Sequence, residues 1–417
     1  MAVEVRPVTF PKDTVAFCKV WWRVYRDDPH WVPPLIFERK TFFDPQKNPY
    51  YKIADVQGFI AYKDGEAVGT IAACHDRDFE AEMPGVGTFG FFEFIEDAEV
   101  AQGLLDAAKD WLRGRGLQRI MGPFNFSPNH EFALLVDGFD TDPMVANPHN
   151  SAYYPGIYEQ IGLQPNMTWY AYWLDYQEAP PRITKIAERM VKRKPGIVVR
   201  RVRLKDWDSE LQIVRDVYND AWHANWGHVM VRPEEFEHIA KDMKTLVKED
   251  LCYVVEMDGE VAGMSVTFPD YNQVVKKMNG RLLPFGWYHF AFGQGQIDAL
   301  RVFILGVKQE YQHLPLGALL YAETWKAAYA RKIRGIEASL ILHDNVGMRG
   351  AMEKMGAFVY KTYRTFEDKL TEDAPGVTSN VGEIIPSHPP GWSLTEEGKK
   401  YIAERPALKV PKKNDKH

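Results

Sequence analysis

Cysteine, surplus positive charge and long apolar runs are what this 417-residue chain has least of. Its three cysteines, Cys18, Cys74 and Cys252, are odd in number and far apart, which excludes a disulfide framework, and no paired spacing marks a zinc site. Lysine and arginine total 51 against 57 aspartates and glutamates, for a formal net charge of −6. The molecule as a whole therefore has no excess of cations for a phosphate backbone, and nucleic acid is not an expected partner. No uninterrupted apolar run is long enough to span a bilayer. The opening MAVEVRPVTFPKD lacks the basic-then-apolar order of a secretory signal. These absences point to a cytoplasmic protein with no metal centre and no transmembrane segment. Peripheral membrane contact stays open.

What is present suits packed cores. Hydrophobic residues make up 45% of the chain and aromatics 13%, which argues against disorder. At roughly 100–200 residues per domain the length suggests two or three domains.

One local plan occurs twice. GFIAY (58–62), a turn at Lys63-Asp64-Gly65 and AVGTIAA (67–73) match CYVVEM (252–257), Asp258-Gly259 and VAGMSVTF (261–268). Asp-Gly between two strand-like runs predicts a hairpin, because glycine tolerates the positive φ that such turns need. Each hairpin precedes a strand and a long amphipathic helix: 88–95 with 98–116, and 299–307 with 317–332. Leu104, Leu105, Ala108, Trp111 and Leu112 share one face of the first helix, and Leu319, Leu320, Ala322 and Ala327 one face of the second. Gly114 and Gly116 are placed to stop the first helix and Gly335 the second. A further strand follows each, at 119–126 and 335–342. The spacing predicts a duplicated domain rather than a solenoid.

The expected divisions are 1–176, a linker at 177–196 with a basic helix-like run at 185–194, a second domain at 197–370, and an irregular tail at 371–417 whose end is disordered.

The second copy carries the chemistry. VKQEYQHLPLGALLYAETWKAAYA (307–330) resembles the cofactor-binding motif of the GNAT acyltransferases, with Gln312, His313, Leu314, Pro315, Leu316, Gly317 and Ala318 filling the pattern. The resemblance implies an α+β fold, two tandem GNAT units each with a mixed, mostly antiparallel twisted sheet flanked by helices. It also implies acyl-CoA or acetyl-CoA as co-substrate, its pyrophosphate held by unpaired amides at a helix N-terminus. Pro315 replaces the first glycine of the pattern and removes one amide donor. The loop therefore either binds with fewer donors or is an ordinary strand-to-helix connection.

HDNVGMRGAMEKMGAFVYKTYRTFE (343–367) is similar to the family's closing segment, a helix followed by a final hairpin. By that resemblance Asn345 contacts the pantetheine arm, and the strand before the loop, including Phe303, Leu305 and Val307, lines the cofactor and polarises its carbonyl. The family's leaving-group acid, a tyrosine, falls at Met352, which has no proton to give; Tyr360 and Tyr363 are the nearby phenols. Candidate bases are Asp298, His223 and His343. None is singled out by its surroundings, and each has an equally good structural reading.

At the corresponding place in the first copy, Glu93, Glu96, Asp97 and Glu99 would repel a diphosphate, while also suiting a helix N-terminus. The first copy is therefore expected not to bind coenzyme A. Its polar stretches 122–140 and 147–162 offer Asn125, Ser127, Asn129, Glu131, His149, Asn150 and Tyr153 for an acceptor, or for turns. Trp222, Asn225 and Trp226 either shape the acceptor pocket or pack a core.

With YRDDPHWVPPL (25–35) and DPQKNPYY (44–51), these stretches resemble a bacterial family of tandem GNAT-like proteins, some linked to ceramide synthesis. The implied function is acyl transfer from coenzyme A to a small-molecule or lipid amine, by a monomer or homodimer. The alternatives are long-chain acylation of a sphingoid-type amine and a non-catalytic ligand-binding protein. The segment 272–296, basic then apolar-aromatic, suits either an interfacial lid or a loop packing its aromatics inward.

Overall fold

The structure, a computed structural model, describes residues 2–176, 181–377 and 379–408. The strands are β1 (Glu4–Val8), β2 (Ala54–Lys63), β3 (Glu66–Asp76), β4 (Val86–Phe94), β5 (Arg119–Gly122), β6 (Phe124–Asn125), β7 (Glu131–Phe132), β8 (Leu134–Asp137), β9 (Gln164–Asp175), β10 (Ile197–Arg201), β11 (Cys252–Met257), β12 (Glu260–Pro269), β13 (Ala299–Val307), β14 (Gly335–Leu342) and β15 (Phe358–Lys369). Both Asp-Gly hairpins form as expected, with Asp64 and Gly65 at φ 56° and 81° and Asp258 and Gly259 at 52° and 89°.

A single 13-stranded sheet runs β1-β2-β3-β4-β5-β15-β9-β14-β13-β12-β11-β10, with β8 also on β15. The two halves exchange their closing strands. β15, the last strand of the chain, pairs with β5 of the first half, from Phe366↔Gly122 to Lys369↔Arg119. β9, the last strand of the first half, pairs with β14 of the second, from Gly335↔Asp175 to Leu342↔Trp169. β15 and β9 pair with each other at the centre. The expected final hairpin is therefore absent: residues 358–369 form one strand whose partners lie far away in sequence.

Helices cover both faces. Val100, Leu104, Leu105, Ala108 and Leu112 of the helix Ala98–Arg113 are buried against β2 and β3, and Leu316, Leu319 and Leu320 of the helix Leu316–Ala330 against β11 and β12. On the opposite face Phe17, Val20 and Trp21 pack beside Ile60, Ala72 and Phe91, and Val217 beside Val254, Met264 and Val266. At about 25 cal/mol per Å² of apolar surface removed from water, these layers are the main source of stability.

Three boundaries differ from expectation. The helix starting at Leu316 ends at Ala330, and its turn uses Lys332 at φ 53°, so Gly335 opens β14 rather than closing the helix. Residues Pro181–Arg193 form a helix that takes in most of the helix-like run expected at 185–194 but starts before it and packs Ala187 and Met190 on the core beside Leu319. The expected irregular tail contains the helix Glu396–Glu404 and is docked: Asp175 accepts hydrogen bonds from the Gly391 amide at 2.6 Å and the Ser393 amide at 3.1 Å, and Trp392 packs on Phe358. The last residues, 409–417, lie outside the described ones.

Candidate functional site

β13 and β14 pair in parallel only from Ala299↔Gly335 to Val302↔Ala338, and then part. A register shift between Val266 and Thr267 of β12 leaves Phe303 unpaired, a bulge at the point where the strands diverge. The gap opens into a cavity of about 1150 Å³. Its walls include Val302–Val307 and Ala338–Leu342 from the strands, Tyr321 and Met348 from helices on one face, and Trp222, Phe236 and Ile239 from helices on the other. The first half contributes Arg39, Asn125, Asn129, His130, Glu131 and Asn147.

In the first half the matching gap is filled. β4 and β5 pair from Val86↔Arg119 to Thr88↔Met121 and then diverge, but β6 lies across the opening. A Cβ built on Gly90 would stand 1.8 Å from the Phe124 carbonyl oxygen, and the Phe91 amide donates to Asn125 Oδ1 at 2.7 Å. Phe43, Phe91 and Phe126 complete the plug.

The helix N-termini differ in the same sense. Asp97 caps its own helix, accepting from the amides of Glu99 at 2.9 Å and Val100 at 3.4 Å, so an internal carboxylate holds the anion position. Glu93, expected among the repelling carboxylates, is instead buried beneath Tyr25 and Tyr154, whose hydroxyls donate to it at 2.5 and 2.7 Å. In the second half Pro315 precedes the helix and has no side-chain cap to offer. Among the described residues no backbone carbonyl accepts from the amides of His313, Leu316 or Gly317. Gly317 faces open space, a Cβ there meeting only the Tyr321 ring at 3.8 Å. This terminus, with its open amides and no acidic side chain in Gln312–Ala318, fits an anion.

The expected site residues divide. Phe303, Leu305, Val307, Gln312, Leu314, Gly317 and Asn345 line the cavity, as do Asn125, Asn129, Glu131, Trp222, Asn225 and Trp226. Asn345 also caps the helix Val346–Lys354 through the Met348 amide at 3.1 Å. His313, Pro315, Leu316 and Ala318 belong to the same loop but do not line the cavity, Leu316 being fully buried in the core. Ser127, His149, Asn150 and Tyr153 are turned to structural bonds: Ser127 to His130 at 2.9 Å, His149 to Asp28 at 2.9 Å, Asn150 to the Leu135 amide at 3.1 Å, and Tyr153 to the Phe94 carbonyl at 2.5 Å.

None of the four candidate catalytic residues lines the cavity. Asp298 sits at the far end of β13 beside Arg334, 3.5 Å away. His223 is exposed at a helix end. His343 is bonded to Asn380 at 3.0 Å. Tyr360 is buried and donates to Glu337. Met352 is buried in the core.

No family model matches the chain. Among solved structures it is similar to a tandem GNAT protein from the clavulanic acid biosynthesis pathway, with a TM-score of 0.51, 11% identity, and coverage of 89% of this chain and 99% of that one. A GCN5-related N-acetyltransferase from Sphaerobacter thermophilus gives a TM-score of 0.50 and 11% identity over 91% and 98%. Protein YghO of Escherichia coli (strain K12) is 34% identical over 376 residues, 88% of this chain and 95% of its own. The bacterial ceramide synthase of Caulobacter vibrioides (strain NA1000 / CB15N) is 35% identical over 379 residues, 88% and 98%. The chain belongs to the family of Protein YghO and the bacterial ceramide synthase, and it has the tandem GNAT fold.

Several residues in or beside the cavity were not singled out by the sequence. Arg301 and Glu337 face each other across the β13–β14 pairing, 3.4 Å apart and fully buried, and Asn147 donates to Glu337 at 2.7 Å and to Ser339 at 3.0 Å. Burial pushes the Glu337 carboxyl up and the Arg301 guanidinium down from their usual ranges. Asn147 Oδ1, buried in the same wall, has no hydrogen-bond partner among the described residues. His228 lines the cavity with its pKa lowered by burial, and His130 is lowered to about 3 by burial, with Arg39 nearby adding to the effect. Tyr218 donates to Asn129 Oδ1 at 3.2 Å, and its phenol, like that of Tyr321, is kept protonated by burial. Among the described residues no group of histidine, cysteine and carboxylates is placed to hold a metal ion, and no helix is long and apolar enough to cross a membrane.

Proposed function

We propose that the protein is an N-acyltransferase that moves an acyl group from acyl-CoA to an amine, with one acyl-CoA site in its second half. The observation that carries this reading is the cavity at the divergence of β13 and β14, which joins the open helix N-terminus at Gly317 to polar residues of the first half. On this reading residues 197–370 hold the acyl donor and residues 1–176, whose own gap is plugged, hold the acceptor.

The amides of His313, Leu316 and Gly317, with the positive end of the helix dipole, would receive the pyrophosphate. The parted edges of β13 and β14 would flank the pantetheine arm. The donor supplies a thioester: the amine nitrogen bonds to its carbonyl carbon, the C–S bond breaks, one proton leaves nitrogen and one is taken up by sulfur. His228, a cavity residue whose pKa is lowered by burial, is the base this reading assigns to take the first. Tyr218 and Tyr321 are the cavity phenols able to supply the second. Asn147 Oδ1 offers an acceptor for a substrate N–H or O–H.

The finer reading is a long-chain amine acceptor of the sphingoid type. It is supported by the name of the 35% identical relative and by an apolar wall of Phe236, Ile239 and Met243 that suits a hydrocarbon chain. Calorimetric titration with acetyl-CoA and palmitoyl-CoA tests both levels. Heat with either supports the acyltransferase; tight binding of palmitoyl-CoA alone, with an N-acyl product from sphinganine seen by mass spectrometry, supports the lipid version. No heat with either thioester favours a ligand-binding protein, a reading that draws on Met352 in place of a tyrosine.

A further inference from the structure

Among the described residues, six of the exposed large hydrophobic side chains fall in the segment 272–296, which contains no acidic residue. Leu283, Phe285 and Phe292 are 71%, 74% and 65% exposed, and Leu282, Trp287 and Tyr288 are exposed beside them. These side chains are held out, not loose. Val274 and Met278 of the helix Asn272–Met278 are buried, Tyr271 stacks on Phe290 at 6.0 Å, and Trp22 donates to Asn279 Oδ1 at 2.8 Å. A Cβ on Gly280 would strike the Trp22 ring at 2.3 Å, so the base of the segment fits closely against the body. The Trp287 indole donates to the Pro284 carbonyl at 2.9 Å, fixing the tip.

The charges around the tip are one-sided. Lys277 and Arg281 flank it, on a chain whose net charge is −6. Of the acids bonded to the base of the segment, Asp142 pairs with Lys276 at 2.7 Å, Asp298 accepts from Gln273 at 3.0 Å, and Asp270 is buried, accepting from the Val145 amide at 3.1 Å; the one exposed acid of the helix Ile36–Phe42 is Glu38. Apolar and aromatic side chains preceded by two cations match a lipid interface, where hydrocarbon takes the leucines and phenylalanines, the headgroup level takes tryptophan and tyrosine, and anionic headgroups meet the lysine and arginine.

We propose that the 281–292 tip docks this protein onto an anionic lipid bilayer. The neighbouring helix Ile36–Phe42 ties the docked face to the cavity. Its Ile36 amide donates to the Gly280 carbonyl at 3.1 Å, Phe37 is exposed beside the tip, and Arg39 and Phe42 line the cavity. The docking stands on the surface alone, while its use for loading a lipid amine rests on the lipid-acceptor reading above.

The test is co-sedimentation of the full chain with vesicles of phosphatidylcholine, with and without phosphatidylglycerol. The expected result is binding to the anionic vesicles that weakens with salt, and that falls at least about tenfold in the Leu283→Ser/Phe285→Ser/Phe292→Ser variant. Lys277→Gln/Arg281→Gln, which leaves the apolar tip intact, should lose the preference for anionic over zwitterionic vesicles. Equal sedimentation of wild type and triple variant overturns the proposal. So does a wild-type dimer that the triple variant converts to monomer without any vesicle binding, since the tip would then be a self-association face. Gly317→Glu should still sediment with vesicles even where it no longer binds acyl-CoA, so failure of docking and failure of the acyl-CoA reading are told apart.

Discussion

The Trp222 ring packs directly against Gly306. A Cβ at Gly306 would stand 2.4 Å from the Trp222 ring and 3.1 Å from the Ala221 Cβ, closer than any side chain can be accommodated without movement. Both residues line the cavity, one on the strand edge proposed to hold the pantetheine arm and one on the helix across from it. The glycine thus sets the width of the opening, and the bulky ring sets its wall. Gly306→Ala should lower stability by about 1–3 kcal/mol through overpacking and weaken acyl-CoA binding. Adding Trp222→Leu should recover much of the stability. Denaturant titration of the two singles and the double measures the coupling, and strict additivity would contradict the contact.

Gly317 makes the complementary case, because it has room. Gly317→Glu places a carboxylate at the helix N-terminus without a clash, the nearest atom being Tyr321 Cε2 at 3.8 Å. Acyl-CoA affinity should fall by about a hundredfold or more, since an internal anion now competes for the same amides. The melting temperature should hold or rise slightly. Titration calorimetry beside a thermal melt reads both, and unchanged affinity would mean that the cofactor loop lies elsewhere.

The Arg301–Glu337 pair predicts a sharp asymmetry. Arg301→Met leaves Glu337 fully buried without its cation and should cost about 3–5 kcal/mol. Arg301→Met/Glu337→Met removes both charges, and should be markedly more stable than the single variant. Chemical denaturation of the three proteins decides it.

Glu93 predicts a pH dependence. Its pKa is raised to about 7, first by burial and only partly offset by the Tyr25 and Tyr154 hydroxyls, so the folded state binds a proton more tightly than the unfolded chain. The stability it contributes is full below its unfolded pKa, near 4.5, and is lost as pH rises through 7. Glu93→Gln should therefore be more stable than wild type at pH 8.5 and close to it at pH 5. Thermal melts across that range should show a flatter profile for the variant, and parallel profiles would count against this assignment.

Local features of the fold could be read from residues, and partnerships could not. The Asp-Gly turns, the apolar faces at Leu104–Leu112 and Leu316–Leu320, and the loop at Gln312–Ala318 are all encoded within a few neighbouring positions. The exchange of β9 and β15 is not, because nothing within either strand names the edge it will pair with, and those edges lie far away in sequence. The loop was legible through its resemblance, and the polar stretch 122–131 through its density of donors. Asn147, Arg301 and His228 were missed because a lone polar residue in an ordinary strand or turn shows its role only once the other half of the chain is beside it. Asp298 and His343 were attractive as isolated acids and bases, yet each is spent on a neighbour.

The exchanged strands also decide when the molecule can be finished. The chain is synthesised from its N-terminus, so β5 emerges with a bare edge that only β15, the last strand made, can cover. β9 in turn waits for β14. Until residues 358–369 leave the ribosome, the centre of the sheet is a row of unpaired backbone donors and acceptors open to any passing strand. A chain that stops between β14 and β15 holds two unfinished halves, because β15 borders both β5 and β9. Whatever guards this protein from mispairing must act until its final strand is released.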